Sequence, residues 1–224
     1  MPLDITFLGH SGFLLSDGRV TVAVDPFLTG NPLAKHKPED IQCQYVALTH
    51  GHSDHFGDTI AIARRNDAMV IGVFEICEYA QKHNVKKINP GNTGGKIETE
   101  FGYVAFTPAF HSSSYDGHYM GMPCGLVISM GGVVFYHCGD TALFSDMKLL
   151  GEIYKPDVAA IPIGDRFTMG AELGAKAAEL IRPRYAIPIH YKTFGLLAQD
   201  ATGFTPQGVQ VKELVPGETW RVEK

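Results

Sequence analysis

The sequence has few of the features that mark several common classes of protein, and cysteine is the clearest example. Only four of the 224 residues are cysteine, and no two of them form a C-x-x-C pair. A chain of this length can bury a large apolar core without disulfides, so these thiols are expected to be reduced and mostly buried. The sequence therefore does not predict a small disulfide-stabilised scaffold.

Positive charge and long apolar runs are also scarce. The 24 Asp and Glu residues outnumber the 19 Lys and Arg residues, and the formal net charge is −5. Nucleic-acid-binding domains usually carry a basic surface, so no nucleic-acid partner is expected. No apolar stretch approaches the roughly 20 residues of a membrane span, and residues 1–4 have neither the basic nor the apolar region of a signal peptide. We therefore expect a cytoplasmic location and no membrane partner.

Short apolar runs bounded by turn residues predict strands along most of the chain. The expected strands are 3–8, 12–15, 20–24, 45–48, 69–73, 103–107, 125–129, 133–136, 158–161 and 185–189, with one or two more near Val211 and Trp220. Helical spacing predicts helices over 58–65, 75–83, 143–154 and 171–181, the last with Leu173, Ala177 and Leu180 facing inward. This order predicts one α/β domain, 1–224, in which helices cover the outer faces of two packed sheets.

Metal-capable side chains follow four of the predicted strands at the point where each strand ends. They are His50, His111, Asp140 and His190. Strand ends in a packed sheet are rigid, and residues on the loops there are held in place by the scaffold. Four such endings can therefore converge on one rim of the fold.

The densest group is the segment His50-Gly51-His52-Ser53-Asp54-His55, which has three imidazoles and one carboxylate within six residues. Neutral imidazole is a good ligand for zinc, iron, nickel and copper, and a carboxylate balances the charge of the ion. Gly51 and Ser53 are small, which allows the loop to curl tightly around one or two ions. Because three further ligands follow strands downstream, this spacing indicates a metal site rather than a solvated polar loop.

The same segment resembles the signature of the metallo-β-lactamase superfamily, and His111, Asp140 and His190 follow in the order typical of that superfamily. Other stretches resemble a bacterial and archaeal family of metal-dependent hydrolases related to the ascorbate-6-phosphate lactonases. These stretches are residues 8–13, 25–32, 108–114, 139–141, 162–170 and 187–191. The resemblance covers nearly the whole chain and implies an αββα sandwich with the metals at one edge of the two sheets.

The resemblance also implies a ligand set and a mechanism. His50, His52 and His111 would hold the first metal, Asp54, His55 and His190 the second, and Asp140 would bridge both. Two divalent ions are expected, with zinc first and manganese, iron or nickel as alternatives. A hydroxide shared by the ions would attack an ester, lactone, phosphodiester or amide bond of a small-molecule substrate. Asp54 and His190 are the ligands assigned to catalysis as well, with Asp54 orienting the hydroxide or passing on its proton.

Three further residues are candidates for a second layer around the metals, each with an alternative. Asp25 can accept a hydrogen bond from a ligand in the His50 loop or can simply start a turn. Asp165 can support His190, line the pocket, or lie in water. His10 can contact substrate or donate a proton, or it can be a hydrogen-bonded structural histidine.

Two residues directly after the predicted strand 133–136 are expected to be structural. His137 is expected to be a core histidine and Cys138 a buried thiol rather than a ligand. The polar segment 112–122 follows His111 directly and is a candidate lid over the metals.

The function also stays open at this point. The alternatives to hydrolysis are a di-iron redox or oxygen-using enzyme on the same fold and a non-catalytic metal sensor. A homo-oligomer is compatible with the sequence, but no long apolar stripe requires one.

Overall fold

The computed structural model describes residues 2–224 and contains two seven-stranded mixed sheets. The strands of the first sheet are β1 (Leu3–Gly9), β2 (Gly12–Ser16), β3 (Thr21–Val24), β4 (Tyr45–Ala47), β5 (Met69–Val73), β6 (Lys87–Gly91) and β16 (Thr219–Val222). Their spatial order is β16-β1-β2-β3-β4-β5-β6. Pairing is antiparallel from β16 to β3 and parallel from β3 to β6.

The second sheet has the same mixed character. Its strands are β7 (Lys96–Thr99), β8 (Gly102–Pro108), β11 (Cys124–Met130), β12 (Val133–His137), β13 (Val158–Pro162), β14 (Tyr185–Ile189) and β15 (Gln210–Val211), in the spatial order β15-β14-β13-β12-β11-β8-β7. A separate hairpin consists of β9 (Ser114–Tyr115) and β10 (His118–Tyr119). Pairing in the second sheet is parallel from β15 to β12 and antiparallel from β12 to β7.

Helices cover the outer face of each sheet. They are α1 (Ser53–Phe56), α2 (Thr59–Asn66), α3 (Phe74–Lys82), α4 (Met147–Tyr154) and α5 (Ala171–Ile181), with a short 3-10 turn at Pro38–Asp40. Helices α2 and α3 pack on β4, β5 and β6, while α5 packs on β13 and α4 packs on α5. Within residues 2–224, no helix has both the length and the apolar character needed to cross a bilayer.

Strand alternation divides the apolar side chains between two layers. In β13, Val158 and Ala160 point into the core between the sheets, whereas Ala159 and Ile161 point into the layer under α4 and α5. Successive side chains of a strand face opposite sides of the sheet, so a strand covered on both sides is apolar throughout. The predicted α/β sandwich is therefore confirmed, with both sheets buried between layers.

Two details of the predicted helices are wrong. The helix predicted over 143–154 begins only at Met147. Leu173 was expected to face inward, but it is 52% exposed, and the buried face of α5 is formed largely by glycine and alanine. A Cβ added to Gly174 would lie only 2.7 Å from Cγ2 of Ile163. Because α5 approaches the sheet this closely, small residues rather than the largest apolar ones face it.

Candidate metal centre

The structure brings all seven predicted ligands to one edge of the sandwich. Each one follows a strand or belongs to the loop after it: β4 precedes the His50–His55 loop, and β8, β12 and β14 precede His111, Asp140 and His190. Strands that run in the same direction end at the same edge of a sheet. The predicted convergence of strand ends on one rim is therefore what the structure contains.

Asp140 lies at the centre of this edge and is almost fully buried, at 2% exposure. Its carboxylate oxygens are 2.9 Å from Nε2 of His190 and 3.3 Å from Nε2 of His55. They are 3.6 Å from Nε2 of His111 and 4.0 Å from Nε2 of His50. One carboxylate thus reaches imidazoles from both of the predicted ligand sets, which is the placement that a bridging residue requires.

The other predicted ligands form two groups on either side of Asp140. In the first group, which is His50, His52 and His111, one nitrogen of each imidazole lies within 4.8 Å of the others. The second group is Asp54, His55 and His190, and its ligand atoms, together with one nitrogen of His10, also lie within 4.8 Å of one another. Ligands of a tetrahedral ion with bonds of about 2.0–2.1 Å are roughly 3.4 Å apart, so the members of each group are close enough to approach one ion with small shifts.

Two orphaned atoms indicate that a cation fits here. Among the hydrogen bonds of residues 2–224, neither Nε2 of His55 nor Oδ1 of Asp140 has a partner, although both atoms are buried and 3.3 Å apart. Buried polar groups are normally paired, so two that face each other without a hydrogen bond need another explanation. A metal ion between them would supply it, because imidazole and carboxylate are ligands of the transition metals.

Asp25 follows β3 and orients imidazoles of both groups. Its Oδ2 accepts the Nδ1–H of His55 at 2.7 Å and the hydroxyl of Thr49 at 2.6 Å, while Oδ1 accepts the backbone N–H of Thr49 at 2.9 Å. Since the Thr49 hydroxyl donates to Asp25, its oxygen accepts the Nδ1–H of His50 at 3.0 Å. Both imidazoles are thereby fixed with Nε2 facing the centre, as histidine ligands usually are, and Nε2 of His50 lies 3.0 Å from Nδ1 of His52 there.

His10 connects Asp54 to the second sheet. Its side chain is buried, with Nε2 3.0 Å from Oδ2 of Asp54 and Nδ1 2.8 Å from Oγ1 of Thr193. The carbonyl of His10 accepts the backbone N–H of His190 at 2.8 Å. His10 has a left-handed backbone with a φ of 58°. Such strain persists only where the surroundings fix it, and here hydrogen bonds from both sheets do so.

His137 forms a second connection between the sheets. Its Nε2–H donates to the carbonyl of Ser11 at 2.8 Å, and its Nδ1 accepts the N–H of Gly139 at 3.0 Å. It is the satisfied core histidine that the sequence predicts. Cys138 is also fully buried, and burial raises the pKa of its thiol. The bond to Gly139 holds the loop that presents Asp140.

The positions of Asp165 and Thr193 relative to the centre could not be predicted from the sequence. Asp165 is exposed, and within residues 2–224 its carboxylate makes no hydrogen bond to His190. Gly164 packs behind His190 instead, where a Cβ would lie 2.9 Å from Nδ1 of the imidazole. Thr193, the partner of His10, was not predicted, because a threonine in a polar loop carries no distinctive pattern.

Burial and charge set the two groups of ligands apart. Burial lowers the pKa of each imidazole in the first group: His50, His52 and His111. Burial alone would also lower the pKa of His190, but the Asp140 and Asp54 carboxylates outweigh it and raise that pKa to about 9. Asp140 and Asp25 likewise raise the pKa of His55 well above its ordinary value, again against the effect of burial.

A cleft of about 680 Å³ opens beside the centre. It is lined by His52, Ser53, Asp54, Tyr79, Ser114, Tyr115 and Asp116. The segment predicted as a lid forms one of its walls and contacts the His50–His55 loop, since Oγ of Ser112 is 3.3 Å from Nε2 of His52 and Oγ of Ser113 accepts the N–H of Gly51 at 3.0 Å. The centre is thus reached from a pocket of the size that small molecules occupy.

The fold and the centre together define a hydrolase of the metallo-β-lactamase class. A model of the beta-lactamase superfamily domain matches residues 4–190, and the chain belongs to that superfamily. A UPF0173 metal-dependent hydrolase from Thermus thermophilus is 46% identical over 226 residues, which cover 99% of this chain and 100% of the relative. A second one, from Archaeoglobus fulgidus, is 42% identical, with coverage of 99% and 100%.

A solved structure agrees with these relatives. Igni18, a metallo hydrolase from Ignicoccus hospitalis, superposes with a TM-score of 0.90 at 36% sequence identity and covers 100% of both chains. The chain is therefore a metal-dependent hydrolase with the metallo-β-lactamase fold, as the sequence predicts.

Proposed function

We propose that this hydrolase holds two divalent ions, one in each group of ligands with Asp140 between them, and cleaves an ester, lactone, phosphodiester or amide bond. The observation that carries the proposal is the position of Asp140, whose buried carboxylate lies within 4.0 Å of imidazole nitrogens from both groups. Zinc is the first expectation, because imidazole and carboxylate ligands suit it, and manganese, iron and nickel are the alternatives.

The ions would supply polarisation of a substrate oxygen and a water molecule of lowered pKa. The residues of the chain then position and accept protons. Asp54 is the ligand carboxylate that reaches the cleft, with a side chain 26% exposed, and its Oδ2 is 3.0 Å from His10 and 3.5 Å from His190. It is therefore placed to accept the proton of the attacking water, while His10 and His190 hold its orientation.

A small molecule is the proposed partner. The cleft has a volume within the roughly 300–1,000 Å³ range of small-molecule pockets, and it runs from His52 and Asp54 to the β9–β10 hairpin. A serine or cysteine nucleophile is not required, because the attacking group is water.

Elemental analysis and a substrate panel test this proposal. The purified protein is expected to contain two equivalents of a divalent metal and to hydrolyse at least one ester, lactone, phosphodiester or amide. His52→Ala and Asp140→Ala are each expected to lower kcat/KM at least about a hundredfold, because each removes a ligand from the ions that activate water. The exposed Asp146, which is outside the centre, provides a matched control as Asp146→Ala.

All three variants are expected to melt cooperatively, so that a loss of activity is not a loss of fold. Wild-type activity in both His52→Ala and Asp140→Ala would contradict the proposal. A coloured protein containing iron, with oxygen-dependent rather than hydrolytic turnover, would favour the redox alternative.

A further inference from the structure

The far wall of the cleft is aromatic. Tyr79 projects from α3 and Tyr115 from the β9–β10 hairpin, with ring centroids 5.7 Å apart and planes at 79°. Phe56 is buried beneath them and contacts both rings, at 4.7 Å from Tyr115 and 5.6 Å from Tyr79. His83 stacks on Tyr79 at 4.1 Å. The two phenol rings are therefore held in a fixed, nearly perpendicular corner beside the metal centre.

The charge left for a substrate in this cleft is negative. Asp54 and Asp116 both line it, and Asp116 is the one that the proposed function does not assign to an ion. The lining residues, all within 2–224, include neither Lys nor Arg. Asp116 sits in the turn of the β9–β10 hairpin with a left-handed φ of 48°. Sites that recognise phosphate or carboxylate groups normally use arginine or lysine. This wall therefore lacks the side chains that usually bind an anionic group away from a metal.

Two cations on loops that follow strands of the second sheet contact other residues. Lys192 follows β14 and lies 3.8 Å from Glu213, above the ring of Tyr191. Arg166 follows β13 and lies beside Phe167. Neither residue lines the cleft. Its polar character comes instead from carboxylates, hydroxyls and the faces of aromatic rings.

We propose that this cleft binds an organic ammonium group of the substrate. The position of that group relative to the bond cleaved rests on the proposed function, which places the reaction at His52 and Asp54. The face of an aromatic ring attracts a cation by its quadrupole, and quaternary ammonium groups are recognised in this way. Asp116 adds a charge opposite to that of the ammonium group. Because Phe56 already fixes the rings, they lose little conformational entropy on binding.

Binding of two small probes to the full-length, metal-loaded protein tests this inference. Choline and 3,3-dimethylbutan-1-ol have the same shape, but only choline carries a charge. We expect choline to bind about fivefold more tightly, which is the size of a cation–π contact at an exposed site. Ligand-observed NMR titration measures both dissociation constants without any turnover.

Variants of cleft residues test whether the preference for choline over the neutral alcohol arises in the cleft. Asp116→Asn is expected to reduce the choline preference to about twofold, and Tyr115→Leu is expected to lower it similarly while keeping an apolar wall. Asp67→Asn is a matched control, because Asp67 is also exposed and left-handed, with a φ of 50°, but precedes β5 at the opposite edge of the sheet. Asparagine tolerates the left-handed conformation, so both variants should keep their turns.

The inference is overturned if choline binds no more tightly than the neutral alcohol, if neither probe binds, or if the preference survives in Asp116→Asn. The measurement does not depend on catalysis. A clear choline preference in a protein that hydrolyses nothing would leave this inference standing and count against the proposed function alone.

Discussion

The two groups of predicted ligands on either side of Asp140 both consist mainly of histidines, but the histidines lie in different surroundings. In the first group, His52 and His111 are partly exposed, and the hydrogen bond of Ser112 to His52 is a long one of 3.3 Å at the surface. In the second group, the side chains of His55 and His190 are 0% and 3% exposed. The two histidines of the second group are therefore built into the core, whereas His52 of the first group and Asp54 of the second line the cleft.

The two groups also differ in the residues that form hydrogen bonds with them. His55 donates to Asp25 at 2.7 Å, and Asp54 is held by His10, which itself contacts Thr193. Partners of this kind fix the orientation of a ligand and raise its basicity. We expect the ion of the second group to bind more tightly and exchange more slowly, and the ion of the first group to adapt to substrate.

The variant with the largest expected effect on metal affinity is Asp25→Asn. Three donors meet the two oxygens of Asp25, and an amide offers only one oxygen, so either His55 or Thr49 loses its acceptor. We expect metal affinity to fall about 10- to 100-fold, mainly in the second group, whose His55 contacts Asp25 directly. Competition with a chromophoric chelator measures both affinities.

Asp17→Asn is the matched control for that experiment. Asp17 is also a buried aspartate of the first sheet, and its Oδ1 accepts the backbone N–H groups of Arg19 and Val20. Because it lies at the β2–β3 turn, away from the centre, its replacement is expected to lower stability and leave metal affinity unchanged. Equal losses of affinity in the two variants would show that the contact to His55 has no special role.

The pH dependence of metal binding is the second test. In the metal-free protein, the carboxylates of Asp140 and Asp54 raise the pKa of His190 to about 9 against the effect of burial. The pKa of His55 is raised as well, and an imidazole must be neutral to bind a metal, so two protons leave when the second group takes up an ion at pH 7. Its affinity should rise about a hundredfold per pH unit from pH 7 toward 9, whereas the first group, whose pKa values are lowered, should change little.

The stability of the metal-free protein is expected to change with pH in the direction opposite to the metal affinity. A raised pKa in the folded state stabilises the metal-free protein fully below the unfolded value of about 6.5, and this stability is lost as the pH rises through about 9. Calorimetry in buffers of different ionisation enthalpy counts the protons released. His52→Ala disables the first group and isolates the second. A second group whose affinity is flat between pH 7 and 9 would show that the two groups are not distinguished by charge.

The sequence predicts which side chains the structure brings together around Asp140, because each one follows a short apolar run typical of a buried strand or lies in the loop after it. The strands 69–73 and 185–189 agree with β5 and β14 to the residue, and 171–181 agrees with α5. The helix α1 was missed, since its four residues are too few to show a period. β6 was missed because Pro90 and Gly91 at its end are typical of a turn.

The partners of the ligands are harder to predict than the ligands. The pairing of Asp25 with His55 depends on β3 lying beside β4 in parallel, which is a tertiary fact. The contact of His10 with Thr193 joins the ends of strands in different sheets. No local pattern specifies such contacts, so the sequence could offer Asp25, His10 and Asp165 only as alternatives, and the structure places two of the three against ligands.

The smallest expected effect belongs to Ser112→Ala, which removes the partner of His52 in the first group. The bond is 3.3 Å long and exposed, so water can replace the hydroxyl when it is lost. We expect metal affinity to change less than about threefold, far less than in Asp25→Asn, and the same titration measures it. If the two variants lost affinity equally, the exposed and buried groups would depend on their partners to the same degree, and burial would not be what separates them.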